Sequence, residues 1–150
     1  MKSPPLLSRF LFARTAAILV VGGLLGASQP AYGQLSGDAA RSTLSGVFTR
    51  DQANRGRDIY AGMCQSCHAA ASHTGVAFIN SWGGRRLSDL FAFVSEKMPK
   101  NDPGSLSPED YTLVIAHILR LNGMPAGFEE LPADSLALRN IRIEVRPKAP

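Results

Sequence analysis

Cys64-Gln65-Ser66-Cys67-His68 is the stretch whose reading decides the fold. Two thiols three residues apart fall on one face of a helical turn, and the next residue is an imidazole. Each thiol can add to one vinyl group of a protoporphyrin, giving two thioether bonds. His68 then lies beneath the iron and can donate a ring nitrogen to it. C-x-x-C-H is therefore read as a c-type haem attachment site.

Other chemistries of a cysteine pair fit less well. Cys64 and Cys67 are the only cysteines, and His73 and His117, 44 positions apart, do not form an H-x(3–5)-H pair with each other, although His73 stands at that spacing from His68. A thioredoxin-like dithiol belongs between a strand and a helix of an α/β pattern, which this chain does not show. A disulfide between residues three apart closes too small a loop to stabilise much.

Residues 1–33 read as a secretory signal. Lys2, Arg9 and Arg14 precede a short apolar core of 13 residues from Thr15 to Ala27, and Ala31-Tyr32-Gly33 is a small-x-small cleavage site. The core is well short of the roughly 20 residues that span a bilayer, so no stable membrane insertion is expected after cleavage. The charge balance changes with it. Three of the 16 basic residues lie in the signal, and all 12 acidic ones follow it. The mature chain thus carries 13 basic against 12 acidic residues, a net +1. Two ionised haem carboxylates would bring it to about −1. The basic isoelectric point is largely the signal's, and no aromatic–basic interleaving suggests nucleic acid as a partner.

The remaining chain suits one domain. Residues 34–46 are small and polar and are expected to form a flexible lead-in. Residues 47–124 form the domain proper, all-α, with about three main helices. Thr49 and Gln52 have capping-box spacing, predicting a helix that runs to about Cys64. Gly56 in its middle costs roughly 1 kcal/mol relative to alanine, which points to another helix crossing there. Residues 69–84 read as loop around a short buried piece. Leu87, Leu90, Phe91 and Val94 recur at helical spacing and predict a second helix to Lys97, which Pro99 ends. Ser107, Pro108, Glu109 and Asp110 give a third helix its N-cap, first-turn proline and acids. Tyr111, Val114, Ile115 and Ile118 form its buried stripe, and Gly123 stops it. Residues 125–150 are a C-terminal extension, packed on or strapped to the domain or a partner. Within it, Ile141 to Arg146 alternates apolar and charged residues, like a short strand or surface strap.

The second axial ligand is sought among Met63, Met98, Met124, His73 and His117. Met98 is the choice: it ends a helix, and Met98-Pro99 presents the thioether from a rigid, extended segment. Thioether opposite imidazole favours ferrous iron. Met63 directly precedes Cys64 and points away from the opposite face. Met124 and His117 read as packing. His73, five residues past His68, is too close in sequence to cross over without a sharp loop.

Cys64, Cys67, His68, Trp82, Leu90, Phe91, Met98-Pro99, Pro103-Gly104-Ser105-Leu106 and Tyr111 together resemble the monohaem class I cytochromes c. The Met98-to-Tyr111 segment and Asn122-Gly123-Met124-Pro125-Ala126-Gly127 are similar, more closely, to haem domains that serve periplasmic dehydrogenases, quinoprotein alcohol dehydrogenases included. The resemblance covers roughly residues 46–140. It implies the cytochrome c fold, helices wrapped round one covalently held haem c, with Gly56 and Tyr60 at the crossing of the first and last helices. It implies haem attachment outside the cytoplasm, hence a periplasmic location. Two departures stand out: His117 occupies the last helix where relatives carry an aromatic, and no proline between His68 and Met98 offers its carbonyl to the ligand imidazole. Trp82 is expected to cover the haem or bond a haem carboxylate. Arg85 and Arg86 are expected to pair with those carboxylates.

The implied function is one-electron transfer, not catalysis. The donor would be a periplasmic dehydrogenase and the acceptor a downstream cytochrome or oxidase, docking transiently through a small contact. The alternatives are a haem subunit held in a dehydrogenase complex, or a haem protein with an open sixth site that binds small ligands.

Overall fold

A computed structural model describes residues 41–146. The signal (1–33), the first part of the lead-in (34–40) and residues 147–150 lie outside the described residues. Five α-helices carry the fold: α1 (Arg50–Met63), α2 (Gly75–Trp82), α3 (Leu87–Lys97), α4 (Pro108–Leu121) and α5 (Ser135–Arg139). Two 2-residue strands, β1 (Arg41–Ser42) and β2 (Ile141–Arg142), pair in parallel with Arg41 opposite Ile141. The protein is all-α in class, as its patterning indicates.

The main helices begin where their caps place them. Thr49 Oγ1 accepts from the Gln52 N–H at 3.0 Å and starts α1. Ser107 Oγ accepts from Asp110 at 3.1 Å ahead of Pro108 and starts α4. Gly123, at φ 76°, ends α4 in the left-handed region that glycine enters without strain.

α1 packs chiefly on α4. At the crossing, a Cβ on Gly56 would fall inside the Leu113 carbonyl and 3.1 Å from the Val114 nitrogen. Only a glycine lets the two backbones approach this closely. Tyr60, Val114, Ile115, Ile118 and Leu119 are buried around the crossing, and Phe78, Leu87 and Leu90 extend the core beneath α2 and α3.

Two segments differ from the sequence expectations. Residues 69–84 are not mainly loop: a 3-10 turn (Ala70–His73) leads into α2. Gly75–Trp82 is only eight residues long, apolar through most of its length and without a side-chain N-cap, so it offers little period to read and no start signal. The end of the lead-in is also structured. Thr43 is fully buried, donates to the Glu144 carbonyl at 2.7 Å and accepts from the Glu144 N–H at 2.9 Å. It thus acts as a strand partner, and the small polar residues of 41–46 pair with the tail where solvated flexibility was expected.

The extension belongs to the core. Leu131, Leu138, Ile141 and Ile143 are buried with the helices. Gln52, itself buried, mimics a peptide group toward Leu131: its Nε2 donates to the Leu131 carbonyl at 2.9 Å and its Oε1 accepts the Leu131 N–H at 2.8 Å. Gly46 and Gly127 meet backbone to backbone, and the Gly127 N–H donates to the Phe48 carbonyl at 2.7 Å. Among the described residues no helix is long and apolar enough to cross a membrane.

Candidate haem site

α1 delivers the attachment motif. The helical turn continues past Met63, because Cys64 and Gln65 both donate to the Tyr60 carbonyl at 2.9 Å. Cys67 and His68 then donate to the Cys64 carbonyl at 3.1 and 2.9 Å. Both cysteines are free thiols. Burial holds the Cys64 thiol above its ordinary pKa. The Tyr60 hydroxyl donates to the His68 carbonyl at 3.0 Å, so the helix that presents the thiols also pins the last residue of the motif.

The motif opens onto a cavity of about 1100 Å³ lined by Cys64, Cys67, His68, Trp82, Arg85 and Met98. All six sequence-derived site residues, some 30 positions apart, therefore face one space. Apolar side chains from three helices, among them Phe78, Leu90, Val94 and Val114, form its walls. The volume lies just above the roughly 300–1,000 Å³ typical of cofactor sites. An apolar cavity of this size, with two free thiols, an imidazole and a thioether on its wall, fits a covalently attached haem. Among the described residues no group of three or more His, Cys, Asp or Glu side chains is placed to hold a bare metal ion.

Met98 caps the end of α3 in extended conformation, at φ −129° and ψ 151°. Its carbonyl accepts from the Tyr111 hydroxyl of α4 at 2.7 Å. That bond, which sequence reading did not anticipate, fixes the segment carrying the thioether to a second helix. Of the competing ligands, Met124 and His117 do not line the cavity, while Met63 and His73 do. Met63 is 46% exposed and sits beside Cys64 at the end of α1. His73 lies against His68, with ring centroids 4.7 Å apart and planes at 50°. Two rings in mutual contact leave no room for a porphyrin between them, so His73 shares the His68 side. Burial, with His68 alongside, lowers the His73 pKa below the ordinary histidine value.

His117 packs on Tyr60 at 5.3 Å between centroids, taking the place of an aromatic at the helix crossing. Burial first, then the neighbouring Arg120 and Arg57, lowers its pKa. The two arginines part company. Arg85 stacks over the Trp82 ring, 4.8 Å from its centroid, at the cavity. Arg86 does not line the cavity; its Nη1 donates to the Arg139 carbonyl at 3.1 Å, tying the loop to the extension. Trp82 also packs against Phe93 at 5.4 Å.

Sequence reading missed the neighbour that orders the loop after His68. Asn122, just past α4, accepts the Gly75 N–H at 3.0 Å and donates to the His73 carbonyl at 2.8 Å. Gly123 reads as a helix stop and Asn122 only as part of a segment of family likeness, and nothing local marks a contact made across 49 positions.

Residues 51–118 match the family model described as "Cytochrome C oxidase, cbb3-type, subunit III". No curated protein and no solved structure matches the chain. The matched span runs from the first turn of α1, through the thiol pair and Met98, to the last turn but one of α4, and so contains the whole site. A family of this kind binds haem c through a C-x-x-C-H motif, which Cys64, Cys67 and His68 supply. Such a domain points to electron transfer. Residues 51–118 are a class I c-type cytochrome domain.

Proposed function

We propose that the protein is a periplasmic one-electron carrier with a single haem c, ligated by His68 and Met98. The observation that carries this reading is that His68 and Met98, from the segments that follow α1 and α3, line the same apolar cavity as both thiols. The chain has one C-x-x-C-H and hence one attachment point. When bound, the haem supplies a ferric/ferrous couple that turns over without gaining or losing a ligand. The residues do the rest. Cys64 and Cys67 hold the group to the end of α1. His68 and Met98 offer one nitrogen and one sulfur, a pair that favours the ferrous form. Phe78, Leu90, Val94 and Val114 keep water away. Arg85, braced on Trp82, offers a guanidinium for a carboxylate.

The signal-like sequence of residues 1–33 supports export to the periplasm. The donor in this reading is a periplasmic dehydrogenase, and the acceptor a downstream cytochrome or an oxidase. The likeness of the Met98–Tyr111 segment to dehydrogenase-serving domains supports the first, and the description of the matched family supports the second. The test is the visible spectrum of the exported, reduced protein with and without carbon monoxide. A sharp low-spin ferrous spectrum unmoved by carbon monoxide is expected. Met98→Ala should open the site, so that carbon monoxide then shifts the spectrum. A wild-type spectrum that already shifts would overturn Met98 as ligand and the simple carrier role with it.

A further inference from the structure

A ligating histidine is ordinarily oriented by a group that holds the far side of its ring, and this partner tunes the metal. Here the sequence provides no proline carbonyl between His68 and Met98. What touches the His68 ring is the ring of His73, 4.7 Å away and tilted by 50°. His73 is not loosely placed. Its ring meets Tyr60 edge-on at 6.0 Å and 86°. Its carbonyl is held by Asn122 Nδ2 at 2.8 Å, and the same amide takes the Gly75 N–H two residues on. Asn122 Nδ2 also donates to the Ile118 carbonyl at 2.8 Å, so α4 fixes the amide itself. Tyr60 in turn pins the His68 backbone. The two histidines are thus clamped from both sides, by α1 through Tyr60 and by α4 through Asn122.

We infer that His73 is the positioning residue for His68: its ring sets the plane of the ligand imidazole and fills the space through which water would reach it. The inference rests on His68 being an axial ligand. The role is one of shape. Removing the ring leaves a gap beside the ligand, and water entering it stabilises the more highly charged ferric iron. The potential should therefore fall.

The test is a redox titration of the haem-loaded protein and its His73→Ala, His73→Phe and Asn122→Ala variants, with His68→Ala as reference. His68→Ala must abolish the low-spin spectrum; if it does not, the ligand reading fails, whatever His73 does. With His68 established, His73→Ala should shift the one-electron equilibrium about tenfold toward ferric, about 59 mV lower in potential. His73→Phe, which keeps a ring of similar bulk, should return to within about twofold, about 18 mV, of wild type. Asn122→Ala keeps the ring but frees its loop, and should shift the equilibrium several-fold in the same direction. A merely structural role would lower thermal stability and leave the potential unmoved. The inference is overturned by a His73→Ala potential within twofold of wild type, or by His73→Phe as displaced as His73→Ala. If His73→Ala does not load haem, an unshifted Asn122→Ala overturns it.

Discussion

Replacing Gly56 by alanine would set a side chain against a backbone. In an isolated helix the change is favourable, by about 1 kcal/mol. At this crossing the new Cβ meets the carbonyl of Leu113 inside contact distance and the nitrogen of Val114 at 3.1 Å. Neither can rotate away, as a side chain could. α1 and α4 must separate, and a radial gap of only 0.5–1 Å forfeits about a quarter to a half of each dispersion contact across the seam. Overpacking of this kind costs about 1–3 kcal/mol where side chains can adjust, and a backbone clash belongs at or beyond the upper end. Net of the propensity gain, a loss of about 2 kcal/mol is expected. For a domain near 100 residues that lowers the melting midpoint by roughly 10 °C. The assay is thermal and guanidinium unfolding of the haem-loaded protein, followed by circular dichroism. Leu113→Ala in the same background should give no rescue, because the obstacle is the carbonyl and not the leucine. A variant as stable as wild type, or more stable, would refute the close-crossing argument.

Gln52→Ala strands the buried N–H and C=O of Leu131, at about 1–3 kcal/mol each, and should lower the denaturation midpoint by an amount equivalent to about 2–4 kcal/mol. Gln52→Glu should recover little, since a carboxylate cannot donate to the Leu131 carbonyl. Tyr111→Phe removes the bond to the Met98 carbonyl, with a stability loss of about 1 kcal/mol, and should make carbon monoxide binding detectable in the reduced spectrum. The His117 pKa is lowered in the fold, so below the ordinary histidine value the unfolded chain binds the extra proton first. Its contribution to stability is therefore present above that value and lost as pH falls toward the lower folded pKa. His117→Phe should flatten this part of the stability–pH curve, measured by guanidinium unfolding across mildly acidic pH.

The sequence was most legible where the determinants are local. Thr49 and Gln52 mark the start of α1, Ser107-Pro108 the start of α4, and the 3.6-residue period of Leu87 to Val94 identifies α3. The thiol pair and His68 are legible because five consecutive residues carry the chemistry. α2 was not, because Gly75–Trp82 is apolar on most sides and Thr74 caps nothing with its side chain. α5 is five residues long and leaves little periodicity to read. The supports of the site were hidden for another reason. Tyr111 on Met98, His73 on His68 and Asn122 on His73 depend on elements that only the fold brings together. In the extension, the alternation of Ile141 to Arg146 suggested a strand, but its partner at Arg41–Ser42 lies in residues read as lead-in.

Thr43 and Glu144 exchange hydrogen bonds across 101 positions, and Gly46 meets Gly127 beside them. This clasp sets an order of events. The thiol pair and its helical turn need only residues near 60–68 and can form while the chain is still being delivered. The buried seats of Leu131, Leu138, Ile141 and Ile143 cannot be filled until the last residues of the domain arrive. Closing a loop of about 100 residues costs roughly 2 kcal/mol more entropy than closing one of about 10. Capture of the cofactor can therefore precede completion of the core, and a nascent chain stopped short of Leu138 would carry the chemistry without the closure that seals it.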